Sequence, residues 1–371
     1  MSSLESELNA FDYSGQGGEI FHEKREGARR FFTNMVYGKF PEDPPEISIG
    51  LLEEGPIVDP RTGNKKGYRR QLGVVFTRAG NSFGAQVLIQ APSEKGKYKA
   101  LVSPLIYPPH TATDDLGVLP SSTYSIQFPR REIPFREEDR GSKRDRFDMD
   151  KIVAGGYAAV AYSYNDIVPD APAGPEVGAY ALYPELMRSK NAPRAIAMWA
   201  WSMSHIARAV SYDSLIDGNS MAVMGFSRLG KAVHVALAHE HPFKAGIAVA
   251  SGKGGAAPLK SGEGEPTLLM ASLYQPWYRP EFLSLAASLE KIPFGQKYLL
   301  AESDVPVLVS VDETDVWSAP GKQRKTVNSA NKIRIKRGLR PTLEFVTHRV
   351  GGHTVSPHWK EQYLNFLDRN L

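Results

Sequence analysis

Ser227 lies in the stretch "GFSRLGK" (225–231), where a short apolar run, Met221–Met224, gives way to a helical pattern. A strand that runs into Gly-x-Ser and then a helix is the setting of a nucleophile elbow. The reason is steric. Small neighbours let strand and helix approach closely, the serine is held in a strained turn, and its Oγ is lifted to a helix N-terminus whose N–H groups can stabilise an oxyanion. In the usual form glycine stands two residues after the serine; here that position is Leu229 and the glycine is Gly230. The motif alone leaves two readings open: an activated nucleophile, or a serine that only caps a helix.

A serine nucleophile needs a base and an acid, and both follow in the chain. The apolar run 305–312 leads into "DETDVWSAP", which supplies Asp312, Glu313 and Asp315; the run 342–349 leads into "VGGHTV". Gly351 and Gly352 give the second segment the freedom to turn His353 back over a sheet edge. Serine, acid and histidine thus come in the order of an elbow enzyme, each just past the C-terminal end of a predicted strand, where ligand sites form in such sheets. Neutral His353 would take the proton of Ser227, and the acid would hold the imidazole tautomer. Asp315 is preferred as that acid, with Asp312, nearer the strand end, as the alternative. Of the other histidines, His348 falls inside a strand, His358 begins a helix, and His239 and His241 do not share a helix face, so no metal site is expected. His110 reads as a loop histidine. Arg228 and Lys231 place two cations beside the serine, suited to an oxyanion or to a substrate rich in hydroxyl or carboxylate oxygens.

Alternating strands and helices must position these residues. Strands are predicted at 72–79, 84–92, 100–109, 156–164, 220–226, 244–251, 305–312 and 342–349, and helices at 192–212, after the serine, at 322–338 and at 356–370. The expected fold class is α/β, a mostly parallel sheet of about eight strands covered by helices on both faces, with an antiparallel edge formed by the first strands. Residues 1–65, with an amphipathic helix at 21–37 and the proline-rich loop "FPEDPPEISIG" (40–50), read as an extension packed on the main domain of 66–371. Residues 110–150, including "REEDRGSKRDRFD", read as a long surface insertion.

Composition bounds the class. The chain has 371 residues, 42% apolar and 23% charged, with a net charge of +4 and no cysteine. Thiol catalysis, disulfides and thiolate metal sites are excluded. The small charge gives no reason to expect a nucleic-acid partner. The polar N-terminus lacks the basic and apolar regions of a signal peptide, and no run is long enough for a transmembrane helix, so no membrane association is expected and the cellular location stays open.

Taken together, "GFSRLGKAV", "SGKGGAAPL" (251–259), "GYAAVAYSYNDIVPD" (156–170), "GEGEPTLLMASLYQPWY" (262–278), "ETDVWSAP" and "RVGGHTV" resemble the glucuronoyl esterases, carbohydrate esterase family fifteen, of the α/β-hydrolase superfamily. The resemblance runs over roughly 150–371. It implies a serine carboxylic ester hydrolase that needs no cofactor or metal and cleaves (4-O-methyl-)glucuronate esters of the lignin–carbohydrate type, so that the partner is a small-molecule or polysaccharide ester. By matching position, Ser227 is the nucleophile, His353 the base, Arg228 an oxyanion stabiliser and Lys231 a ligand for the uronate hydroxyls; Glu265 and Trp277 are sugar-side contacts. Two departures stand out. Many members carry the catalytic acid immediately before the S-G-x-G-G loop, where this chain has Ala250, so the acid must come from the later strand, which favours Asp315. Many also read P-F-D-x-H where this chain has "IPFGQKYLL" (292–300), which brings in Gly295 and Lys297. The second departure keeps an acetyl or feruloyl polysaccharide esterase as an alternative; the first keeps a non-catalytic carbohydrate-binding relative.

Overall fold

The computed structural model describes residues 27–59, 61–120, 125–126, 132–292 and 295–371. Nine strands form its main sheet: β1 (Glu46–Val58), β2 (Lys65–Arg78), β3 (Asn81–Ala91), β4 (Tyr98–Leu105), β7 (Ala158–Ser163), β8 (Ile216–Phe226), β9 (Ala245–Val249), β10 (Val307–Asp312) and β11 (Leu343–His348). A separate two-stranded ribbon, β5 (Ser125–Ile126) with β6 (Glu132–Ile133), lies in the insertion. The order across the main sheet is β1-β2-β3-β7-β4-β8-β9-β10-β11. Pairing is antiparallel from β1 through β3 to β7 and parallel from β7 onward.

The central strands β7, β9 and β10 are buried along their whole length. This is why they appear in the sequence as runs dominated by Ala, Val, Ile and Leu rather than as alternating patterns. Helices cover both faces. On one, Ala195–Val210 is buried at every position but Arg208 and carries Trp199 and Trp201 into the core. On the other, the C-terminal helical segment packs Trp359, Tyr363, Phe366 and Leu367 with Phe147 and Met149. From β4 the chain crosses to β7 on one side and returns to β8 on the other, so a crevice opens above the strand C-termini near β4 and β8.

Two expectations need correction, and a third is met as far as the described residues reach. The proline-rich stretch read as loop becomes strand from Glu46, so 46–58 is the edge strand of the main sheet rather than part of an extension laid on it. The strand escaped detection because it is an edge: only Gly55 and Ile57 are buried, so no alternating pattern is imposed. The predicted helix at 21–37 is described from residue 27, with a π-helical end at Phe32–Tyr37; its earlier part lies outside the described residues. The insertion at 110–150 is not wholly on the surface. His110, Thr111, Thr113 and Asp115 are buried. Arg69 of β2 donates to Asp115 at 3.1 Å and to Glu53 at 2.5 Å, and Gln90 of β3 donates to Thr113 at 3.1 Å. Polar residues are inside here because each has a partner there.

Candidate active site

Strand β8 ends at Phe226, and a helix, Arg228–Ala236, begins two residues later. Ser227 between them has φ 60° and ψ −122°, a conformation that costs a non-glycine residue about 1–3 kcal/mol. Its N–H donates to Val249 O of β9 at 2.8 Å, which ties the turn to the neighbouring strand. The two glycines permit the closure. A Cβ on Gly225 would lie 2.3 Å from Leu229 O, and one on Gly230 would lie 2.8 Å from Val249 O. The shifted glycine is thereby explained. Leu229 points into the core, and position 230 is the one that must be bare where helix meets strand.

The other two members of the expected triad meet this serine. His353 Nε2 is 2.8 Å from Ser227 Oγ, and His353 Nδ1 is 2.7 Å from Asp315 Oδ2. With the proton on Nδ1 and shared with Asp315, Nε2 is the acceptor for the serine hydroxyl. Asp315 is buried and receives the Ser318 hydroxyl at 2.5 Å. Burial opposes its ionisation, but the hydrogen bonds from His353 and Ser318 outweigh this and hold the carboxyl below its ordinary range.

Asp312, the alternative acid, does not touch His353 in this arrangement. Its Oδ1 accepts Thr314 N–H at 2.8 Å and the Thr314 hydroxyl at 2.6 Å, while Oδ2 accepts Val350 N–H at 2.7 Å and Gly351 N–H at 2.9 Å. Burial works against this charge too, and those donors overcome it, so its carboxyl is held well below the usual carboxylate range. It anchors the loop that carries the histidine. Its position at the end of β10 made it a candidate; its oxygens are turned to Thr314, Val350 and Gly351 rather than to Nδ1.

The cleft over Ser227 has a volume of about 420 Å³, and Arg228, Lys231, Glu265, Trp277 and Ala250 are among the residues that line it. Arg228 forms an ion pair with the buried Asp170, and its guanidinium lies 4.6 Å from the Trp277 ring centroid. Trp277 is itself buried, stacks on Tyr274 at 4.0 Å and donates from Nε1 to Asp170 at 2.5 Å. Lys231 donates to Ser251 O at 2.6 Å. Burial pushes its ammonium down to about 8, with Arg228 adding to the effect and Glu265 and Asp315 opposing it. Glu265 keeps one buried carboxylate oxygen without a protein donor. At the position where many relatives carry their acid, Ala250 has a φ of 48°.

Asp170, Ser318 and Arg146 were not anticipated. Asp170 ends the quoted "NDIVPD" stretch, but nothing in the spacing tied it to Arg228. The departure at 292–300 implied an altered substrate-side or packing contact; residues 295–300 do not line the cleft, and Gln296 accepts Leu259 N–H at 2.9 Å in a packing role. His110 is buried with Nε2 3.1 Å from Arg136 O, away from the cleft lining. His241 faces Asp304, and among the described residues no cluster of metal-ligating side chains occurs. None of the described helices is long and apolar enough to cross a membrane.

A family model described as glucuronyl esterase, fungi, matches residues 145–335, just over half of the chain. The chain belongs to the glucuronyl esterase family. It is a carboxylic ester hydrolase, and its architecture is that of the α/β-hydrolases. Carbohydrate esterase MZ0003, from an unknown prokaryotic organism, is 26% identical over 94% of this chain and 84% of its own length. The 4-O-methyl-glucuronoyl methylesterase of Cerrena unicolor is 24% identical over 54% of this chain and 44% of its own. A solved glucuronoyl esterase from Solibacter usitatus superposes with a TM-score of 0.82 at 23% identity, covering 96% of this chain and 94% of that one. The match of fold therefore extends well beyond the segment that carries the family signature, to the β1–β3 edge included in that superposed length.

Proposed function

We propose that Ser227, His353 and Asp315 are a catalytic triad and that this glucuronyl esterase family member hydrolyses esters of glucuronate-type uronic acids through an acyl-enzyme. The unbroken chain from Ser227 Oγ through His353 to Asp315, at 2.8 and 2.7 Å, carries the reading. Ser227 Oγ attacks the ester carbonyl as its proton passes to His353 Nε2. The tetrahedral intermediate collapses, and the alcohol leaves with that proton. Water then attacks the acyl-enzyme, giving its proton to His353; collapse frees the uronic acid and returns the proton to Ser227. Arg228 stabilises the oxyanion together with the N–H groups at the helix start. Asp170 holds its guanidinium in place, so little reorganisation is needed as charge develops.

The polar side of the cleft supports a uronate as the acyl group. The unpartnered oxygen of buried Glu265 calls for a donor, and a sugar hydroxyl supplies one. Lys231 can donate to the same sugar, and Trp277 contributes an aromatic edge. The curated name of the Cerrena unicolor relative, a 4-O-methyl-glucuronoyl methylesterase, points the same way. The finer assignment, an ester on glucuronoxylan with a lignin-type alcohol, belongs to this proposal. Benzyl glucuronate and acetylated xylan separate the alternatives. Release of benzyl alcohol at a rate well above acetate release is expected. Acetate release without turnover of the uronate ester would reassign the substrate, and inert protein that still binds xylan fragments would overturn catalysis altogether.

Lys231 gives the site an alkaline signature. Because its proton is lost at about 8 in the folded protein, kcat/KM for a uronate ester should fall above that pH, and Lys231→Met should lack this limb. The stability effect has the opposite sense. Between about 8 and the usual 10.5 the unfolded chain binds a proton that the folded one does not, so the lysine's contribution to stability rises with pH. The urea midpoint of wild type should rise relative to that of Lys231→Met from the lower to the upper end of this window; parallel midpoints would overturn the assignment.

A further inference from the structure

We infer that Arg146, in the insertion at 110–150, is a positioning residue that sets the catalytic histidine; this rests on the triad reading above. His353 follows two glycines in left-handed conformations, Gly351 at φ 107° and Gly352 at φ 77°, and a Cβ at either would meet nothing within 4 Å. Space is open on that side of both glycines, and polar ties hold the turn. Three side chains supply them residue by residue. Asp312 accepts the N–H groups of Val350 and Gly351, Thr314 Oγ1 accepts Gly352 N–H at 2.8 Å, and Arg146 Nη1 donates to His353 O at 2.7 Å.

Asp312 and Thr314 come from the end of β10 beside the loop. Arg146 comes from a different part of the chain and meets the histidine's backbone directly and its ring through Phe226. Its guanidinium caps the His353 carbonyl and also lies 5.0 Å from the Phe226 ring centroid. That ring in turn sits 4.8 Å from the imidazole. Phe226 directly precedes the nucleophile. One arginine thus joins the insertion, the residue before Ser227 and the backbone of His353 in a single stack. The insertion is stiffened behind it, because Arg140 donates to Asp115 O at 2.6 Å and Val118 O at 2.8 Å.

If Arg146 aims His353, its loss slows the Ser227–His353 proton transfer and leaves substrate binding nearly alone. A misplacement of ~1 Å costs about 10²-fold in rate. Arg146→Ala should lower kcat on an accepted ester about 10- to 100-fold with KM within about threefold. Arg146→Lys, which keeps one donor, should recover part of the loss. A readout independent of substrate is the rate at which a fluorophosphonate labels Ser227, which requires the serine–histidine pair; it should fall in parallel with kcat, and free guanidinium at low millimolar concentration should restore it in Arg146→Ala alone. Should Arg146→Ala fold poorly, Arg146→Lys and Arg146→Gln give the same comparison. A labelling rate equal to wild type, or a raised KM at unchanged kcat, would overturn the inference and make Arg146 a simple cleft contact. Failure of the wild type to turn over benzyl glucuronate, with labelling still dependent on Arg146, would instead overturn the substrate reading only.

Discussion

Ser227→Ala should lower kcat on a glucuronate ester by about 10⁶-fold, leaving KM within a few-fold and the fold intact. The hydroxyl is the only group in the proposed mechanism that forms a bond to substrate, so no neighbour can replace it, whereas Arg228, Lys231 and Glu265 still bind the ester. Residual turnover above 1% of wild type would remove Ser227 from the nucleophile role. The backbone makes a second, separate forecast. At φ 60° and ψ −122° alanine is as strained as serine, but this is the mirror image of extended backbone, which glycine adopts freely. Ser227→Gly should therefore be as inactive as Ser227→Ala and more stable than wild type by ~1 kcal/mol in urea unfolding. A glycine variant less stable than the alanine one would mean that the turn is not strained.

Asp315→Asn should lower kcat by about 10⁴-fold while the histidine stays in place. The size of the loss comes from the tautomer. Ser318 N–H donates to Oδ1 at 3.2 Å, so an amide here keeps its oxygen on that side and presents its NH₂ group to Nδ1, with the Ser318 hydroxyl free to turn and accept. Nδ1 then becomes an acceptor, the proton moves to Nε2, and the ring offers Ser227 Oγ a donor where a base is needed. Asp312→Asn makes the opposing case. It keeps an oxygen for the Val350 and Gly351 amides and leaves Nδ1 of His353 untouched, so its main effect should be on the histidine loop and on stability. Equal losses of kcat in the two variants, with the loop unchanged, would overturn the choice of Asp315 as the acid.

Much of the fold was legible because the middle of the sheet is buried on both faces. β7, β9 and β10 are mostly apolar, and their runs stand out against the helices around them. β1 was illegible for the converse reason: an exposed edge accepts glutamate, glycine and proline, and its sequence looks like loop. The members of the proposed triad could be picked out because each stands just past a strand, where position alone limits what a side chain can reach. The choice between Asp312 and Asp315 could be weighed but not made, since three residues on a turn separate a carboxylate that meets Nδ1 from one that collects amide donors. Asp170 and Arg146 could not be found. Their partners lie far off in the chain, and Arg146 is one arginine among several in a charged stretch that looks solvated throughout.

The Asp170–Arg228 pair also bears on how a catalytic cycle ends. Hydrolysis turns a neutral ester into a carboxylate, and a lone guanidinium beside it would attract the product by about 4 kcal/mol at 4 Å in an effective dielectric of about 20. That is enough to slow product departure about a thousandfold. Asp170 has already matched that charge. The cleft can offer a directed donor to the transient oxyanion while holding no surplus positive charge at Arg228 for the acid that remains, and the same buried aspartate that aims the arginine lets the uronate go.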